Sequence, residues 1–118
     1  MINDKLGINE MAEEAFNTAK ANGFHTNPLD TVRVLSMLAL IHSEVSEATE
    51  DARIVPPEEL KTPTYLETGK PLGFASELAD VIIRVGDTAH VLGVDLEKAV
   101  REKMAYNKTR PHRHGKRV

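Results

Sequence analysis

Two pairs of acidic residues have the spacing of a metal site: Glu44-Val45-Ser46-Glu47 and Glu77-Leu78-Ala79-Asp80. Residues three apart on an α-helix lie about 60° apart around its axis, so each pair can aim both carboxylates at one point. Asp51 falls near the same stripe one turn beyond Glu47. Four carboxylates facing each other across two packed helices would be costly without a cation. An all-oxygen set suits a hard ion, Mg²⁺ or as a substitute Mn²⁺, rather than zinc. Spacing alone is equally compatible with two solvated acidic faces. Each pair is nevertheless set in apolar helix: Ile41 and Val45 flank the first, and Leu78, Val81 and Ile82 flank the second.

Other residues fall into register with these acids. Arg84 follows Asp80 by one turn and either pairs with the acids or reaches a ligand. Lys103 and Asn107 are four apart, on one face of a later helix, where an ammonium and an amide suit phosphate oxygens; the same pair also reads as an ordinary polar face. A di-iron carboxylate bundle would require Glu-x-x-His pairs. Glu44 and Glu77 are followed at that spacing by Glu47 and Asp80, and Asp87-Thr88-Ala89-His90 stands alone, so magnesium chemistry ranks above iron chemistry and His90 reads as an ordinary helix residue.

Helical periodicity supplies the frame. A first helix is expected from about Ile8 to Asn22, with Asn9 as a cap and Gly23 as a left-handed stop. A second runs from Leu29 to about Arg53. Its first half, Val32 to Ile41, is apolar nearly all round, which implies burial on several sides or a subunit contact. Residues 55–73, with five prolines and glycines beyond the Pro56-Pro57 pair's first member, read as a loop insertion, within which Pro57-Glu58-Glu59-Leu60 suits one helical turn. A third helix covers Phe74 to Leu92, with Leu78, Val81, Ile82, Val85, Ala89 and Leu92 as its core stripe. A fourth follows the cap Asp95 and ends near Lys108, before Arg110-Pro111, with Leu96, Ala99, Val100 and Met104 facing inward. Strand signals are poor: five residues are aromatic and alternating runs are absent. The expectation is an all-α, four-helix bundle forming a single domain over residues 1–118.

Composition narrows the function classes. With no cysteine, disulfides, thiolate zinc sites and cysteine nucleophiles are excluded. Met1 to Lys5 lacks the pattern of a signal peptide, and the longest apolar run, Met37 to Ile41, is too short to span a bilayer; the expectation is a cytoplasmic protein without a membrane partner. Lys108, Arg110, Arg113, Lys116 and Arg117 make residues 109–118 and their approach a basic tail. Without those five charges the net charge falls from -3 to -8, so an acidic body carries a basic end. Such an end can touch phosphate, nucleic acid or a neighbouring subunit, or simply be solvated. The scarcity of aromatic residues counts against nucleic-acid stacking.

On these residues the chain resembles the MazG-type all-α NTP pyrophosphatase family, whose superfamily includes dimeric dUTPases, dCTP pyrophosphatases and phosphoribosyl-ATP pyrophosphohydrolases. The resemblance rests on the two acid pairs, on Lys103 and Asn107, and on the closing stretch Tyr106 to Lys116, and it spans roughly Leu29 to Lys116. It implies hydrolysis of a (deoxy)nucleoside triphosphate to monophosphate and pyrophosphate. It also implies Mg²⁺ on Glu44, Glu47, Glu77 and Asp80, and Glu44 or Glu47 as the base toward water. Arg84, Lys103, Asn107, Lys108 and Arg110 would then contact substrate, and the chain would assemble as a homodimer or homotetramer. Three features depart from the family pattern: Ser43 stands where a further Glu is common, the 29 residues from Ala48 to Ser76 make a long gap, and there is no Trp to line a base pocket. The competing readings are phosphoribosyl-ATP hydrolysis and a non-catalytic helical interaction module using the basic tail.

Overall fold

A computed structural model describes residues 5–115. Lys116 and Arg117 of the basic tail lie outside the described residues, as do residues 1–4. The chain is mostly helical: α1 (Ile8–Ala21), α2 (Thr31–Ile54), α3 (Phe74–Val91) and α4 (Leu96–Lys108), with a small antiparallel sheet of β1 (Thr64–Tyr65) and β2 (Pro71–Leu72) between α2 and α3. Single 3-10 turns occur at Pro57–Glu59, where one helical turn is expected, and at His112–Gly115.

Helix boundaries follow local chemistry. Helix α2 starts two residues later than its apolar pattern suggests, because the Asp30 carboxylate accepts from the Arg33 amide at 2.8 Å and caps the helix there. Asp95 caps α4 in the same way, accepting from the Lys98 amide at 3.0 Å. Gly23 and Gly93, with φ of +95° and +73°, turn the chain out of α1 and α3.

The start of α1 differs from expectation. Its N-cap is Gly7, and Asn9 does not cap it. The Ile8 amide instead donates to Glu97 Oε1 at 3.1 Å, while Asn9 reaches across to α4, donating to Asp95 Oδ1 at 2.8 Å and accepting from the Glu97 amide at 3.0 Å. Each helix therefore satisfies an orphan amide at the other's N-terminus.

The hairpin in the expected loop is a second difference. Thr64 pairs with Leu72 and Tyr65 with Pro71, the Leu66 amide donates to the Lys70 carbonyl at 2.9 Å, and Thr64 Oγ1 donates to the Leu72 carbonyl at 2.8 Å. Strands of two residues are too short for alternation to register in the sequence.

Helix α3 is central, packed against α1 on one side and α2 on the other, while α4 rests more lightly on α1 and α3. Small residues allow the close α1–α3 approach: a Cβ on Gly86 would lie 2.7 Å from Met11 Sδ and 3.1 Å from Ala12 Cα. The buried apolar residues are Ala12, Met37, Ala48 and Ala89. The expected core stripe of α3 is thereby corrected. Ala89 is buried and Val81 and Val85 are half-buried, but Leu78, Ile82 and Leu92 remain exposed, as do Ala99 and Met104 of α4 and Val32, Leu35 and Leu38 of α2. The face of α3 toward α1 is filled by Gly86 and Ala89, which leaves several of its bulky residues turned away from its neighbours.

Candidate functional site

Packing α2 against α3 brings three of the four paired acids together and leaves Glu47 outside the group. Glu44, Glu77 and Asp80 each offer an oxygen within 4.8 Å of the others'. Glu44 is only 8 % exposed, and it accepts a hydrogen bond from Arg84 Nε at 2.7 Å. Arg84 thus occupies one of the two places the sequence allows it, paired with the acids. Glu47 is exposed and lies close enough to Glu77 to raise its carboxyl.

The electrostatics of this cluster follow from its crowding. Burial pushes the Glu77 carboxyl up to about 7, helped by the hydrogen bond its protonated form donates to Glu47 and by the negative charges of Glu47, Asp80 and Asp51. Burial also raises Asp80, as does the charge of Glu44, against the opposing pull of Arg84 and Lys70. Lys70, at the foot of β2, is a cation that sequence reading did not single out. Glu77 Oε2 is out of contact with solvent and has no hydrogen-bond partner. Acidic oxygens crowded together with one acceptor unsatisfied are the donor set a hard divalent cation takes. Glu44, Glu77 and Asp80 are the residues that could hold such an ion.

Glu44 and Asp80 also line a cavity of about 800 Å³ between α1, α2, α3 and the α1–α2 connection. Its walls include Met11, Phe24, Met37, Leu40 and Ile83. Beside them stands a polar network absent from the sequence reading. His25 Nε2 and Asp87 Oδ1 are 2.6 Å apart, Arg33 Nη2 bonds His25 Nδ1, and Arg33 Nη1 donates to the Asn27 carbonyl at 2.7 Å. A guanidinium has no acceptor, so His25 Nδ1 accepts from Arg33 and Nε2 carries the proton donated to Asp87. The His25 ring also packs against Phe16 at 5.0 Å between centroids. Asp87 therefore pairs with His25, not with the His90 of its own helix, whose ring lies 4.8 Å from Phe16.

A signal for this network was present in the sequence. Glu77, Asp80, Arg84 and Asp87 follow a three-four spacing on α3, and Arg33, Met37, Leu40, Glu44, Glu47 and Asp51 follow it on α2. Each row is one helix face. Nothing local marks His25, which sits in the connection with φ of +65°.

The remaining candidates are on α4 and beyond. Lys103 Nζ lies 5.7 Å from the centre of the Tyr106 ring and the Arg110 guanidinium 5.8 Å from it. Asn107 Oδ1 is buried without a partner, and Lys108 is exposed in the last turn. None of these four lines the cavity that Glu44 and Asp80 open into. Among the described residues, no helix is long and apolar enough to cross a membrane.

No family model, curated protein or solved structure matches the chain.

Proposed function

We propose that the chain is a Mg²⁺-dependent nucleoside triphosphate pyrophosphohydrolase of the MazG-like all-α type, which converts a (deoxy)nucleoside triphosphate and water to the monophosphate and pyrophosphate. The observation that carries this reading is the convergence of Glu44, Glu77 and Asp80 from two helices, with Glu77 Oε2 left unsatisfied, at the edge of a nucleotide-sized cavity.

Glu44, Glu77 and Asp80, with Glu47 beside them, would hold the cation. Bound there, Mg²⁺ would neutralise phosphate oxygens and make a nearby water more acidic. Glu44 or Glu47 takes the proton from the attacking water. Arg84 already holds a carboxylate of the cluster and is placed to exchange it for a phosphate oxygen, where its fork of donors suits a bidentate contact. Lys70, whose charge reaches Asp80, balances negative charge on the same side.

A homodimer or homotetramer belongs to this reading. The exposed apolar side chains of α2 and α3 border the acid cluster, and α4, which carries Lys103, Asn107, Lys108 and Arg110, is lightly held in the single chain. In an assembly, the α4 and tail cations of a neighbouring copy supply the phosphate contacts that the cavity lacks.

The test is a panel of ribo- and deoxynucleoside triphosphates, with phosphoribosyl-ATP, assayed with Mg²⁺ and a pyrophosphate readout. Turnover is expected for at least one nucleotide, with a loss of about 10²-fold or more in Glu47→Ala and Glu77→Gln. Absence of turnover across the panel, or undiminished activity in both variants, overturns the reading.

A further inference from the structure

We propose that Asp87, held in place by His25 and Arg33, reads the exocyclic amino group of a nucleobase, so that the cavity selects cytosine, adenine or guanine nucleotides against uracil and thymine. The inference rests on the cavity being the nucleotide site proposed above, and it names which nucleotides that site takes.

Asp87 follows Asp80 by seven residues on α3, two turns along one face and about 10 Å of helix. That is of the order of the span from the phosphates of a nucleotide to the pairing edge of its base. With phosphates at Asp80 and Glu44, a base extending into the same cavity brings its polar edge toward Asp87, between apolar walls that include Met11, Met37 and Ile83.

The chemistry of that end is fixed by its hydrogen bonds. Asp87 Oδ1 is taken by the His25 Nε2 proton, and Arg33 donates to His25 and to the Asn27 carbonyl. The His25 side chain is 7 % exposed, so it is a buried brace. Asp87 is the more exposed partner at 20 %, and among the described residues its hydrogen bond is made through Oδ1. A carboxylate oxygen accepts and does not donate. An amino group of cytosine, adenine or guanine satisfies it. Uracil and thymine carry no amino group: where cytosine presents its amino group they present a carbonyl oxygen, which sets two acceptors against each other, and their one edge donor, the ring N3–H, lies one atom away and meets the carboxylate only if the base shifts in the cavity. Sites of this kind discriminate more strongly than apolar pockets, because the wrong ligand strands a buried polar group.

The test is direct binding to the full chain, by calorimetry in metal-free buffer, of the five deoxynucleoside monophosphates dCMP, dAMP, dGMP, dUMP and dTMP. At least one amino-bearing nucleotide is expected to bind about tenfold or more tightly than dUMP and dTMP. Asp87→Asn, whose amide also donates, should bring the two classes within about threefold. Equal binding of dUMP or dTMP in the wild-type chain overturns the proposal without recourse to any variant. So does an unchanged preference in a folded Asp87→Asn, or no binding of any of the five at millimolar concentration. A base preference without hydrolysis rejects the enzyme and keeps this subsite, whereas hydrolysis without a base preference does the reverse.

Discussion

Glu77 is the residue on which the acid cluster turns. Burial and the charges of Glu47, Asp80 and Asp51 raise its carboxyl from 4.5 to about 7, so the folded chain keeps a proton that the unfolded chain releases. Folding then takes up a proton between those two values, and the corresponding stability, full below about 4.5, is lost as pH rises through about 7. In metal-free protein, the melting temperature of the wild type should therefore fall relative to Glu77→Gln as pH is raised from 4.5 to 8. A difference between the two that does not change with pH would sink this account. At pH 8, Mg²⁺ should raise the melting temperature of the wild type more than that of Glu77→Gln, since the cation binds the ionised cluster. The acids of this site were legible from spacing, because a three-residue step on a helix is a geometric statement. Of the His25–Asp87–Arg33 network, Arg33 and Asp87 share those acids' helix faces, but their partner His25 was not legible. His25 comes from a connection whose path depends on where α1 and α2 pack, and no spacing within one helix encodes that.

At the scale of elements, the two N-termini of α1 and α4 are tied reciprocally through Asn9 and Glu97. The Asn9 amide holds the Asp95 carboxyl below the usual carboxylate range, with the Lys98 amide second, and the Asn9 carbonyl oxygen takes the Glu97 amide. Asn9→Ala should cost about 1 kcal/mol, the ordinary value of a helix cap, measured by urea unfolding. Because α4 is otherwise lightly packed and carries Lys103 and Asn107, the same variant should raise KM for a triphosphate more than it lowers kcat. A stability loss with an unchanged KM would separate α4 from the substrate. The helices themselves were readable from periodicity, with Asp95 identified as a cap and Gly23 as a stop. Asn9 was misassigned because a side chain at the start of a helix can cap its own turn or another helix, and sequence does not tell which. The 64–72 hairpin escaped because two-residue strands held by Thr64 and the turn at Gly69 have no period to read.

At the scale of the whole molecule, surface area decides more than any contact. A folded monomer of 13.0 kDa should expose about 6,300 Å². This chain exposes 9386 Å², roughly 3,000 Å² more by that scaling. Its radius of gyration is 16.7 Å, against about 13.5 Å for a compact domain of its length. Among the described residues no large side chain is fully buried, while Val32 and Leu35 on α2 and Ile82 on α3 are 72 %, 59 % and 57 % exposed. Apolar helix faces of that extent are what obligate partners cover, and an excess of this size is on the scale of a permanent interface. The apolar first half of α2 suggests several-sided burial; one chain alone leaves Val32, Leu35 and Leu38 exposed, and the proposed assembly would cover them. Sedimentation of the full chain at micromolar concentration should give a dimer or tetramer. Leu35→Glu combined with Ile82→Glu should shift it toward monomer with a lower melting temperature, because each charge would have to be buried against apolar surface. If α4 cations of a neighbouring copy complete the phosphate site, the same double variant should lose hydrolysis together with assembly, although neither residue lies in the acid cluster. A wild-type chain that sediments at 13.0 kDa and retains full turnover would show that one copy holds a complete site, and Lys103 and Asn107 would then have no part in it.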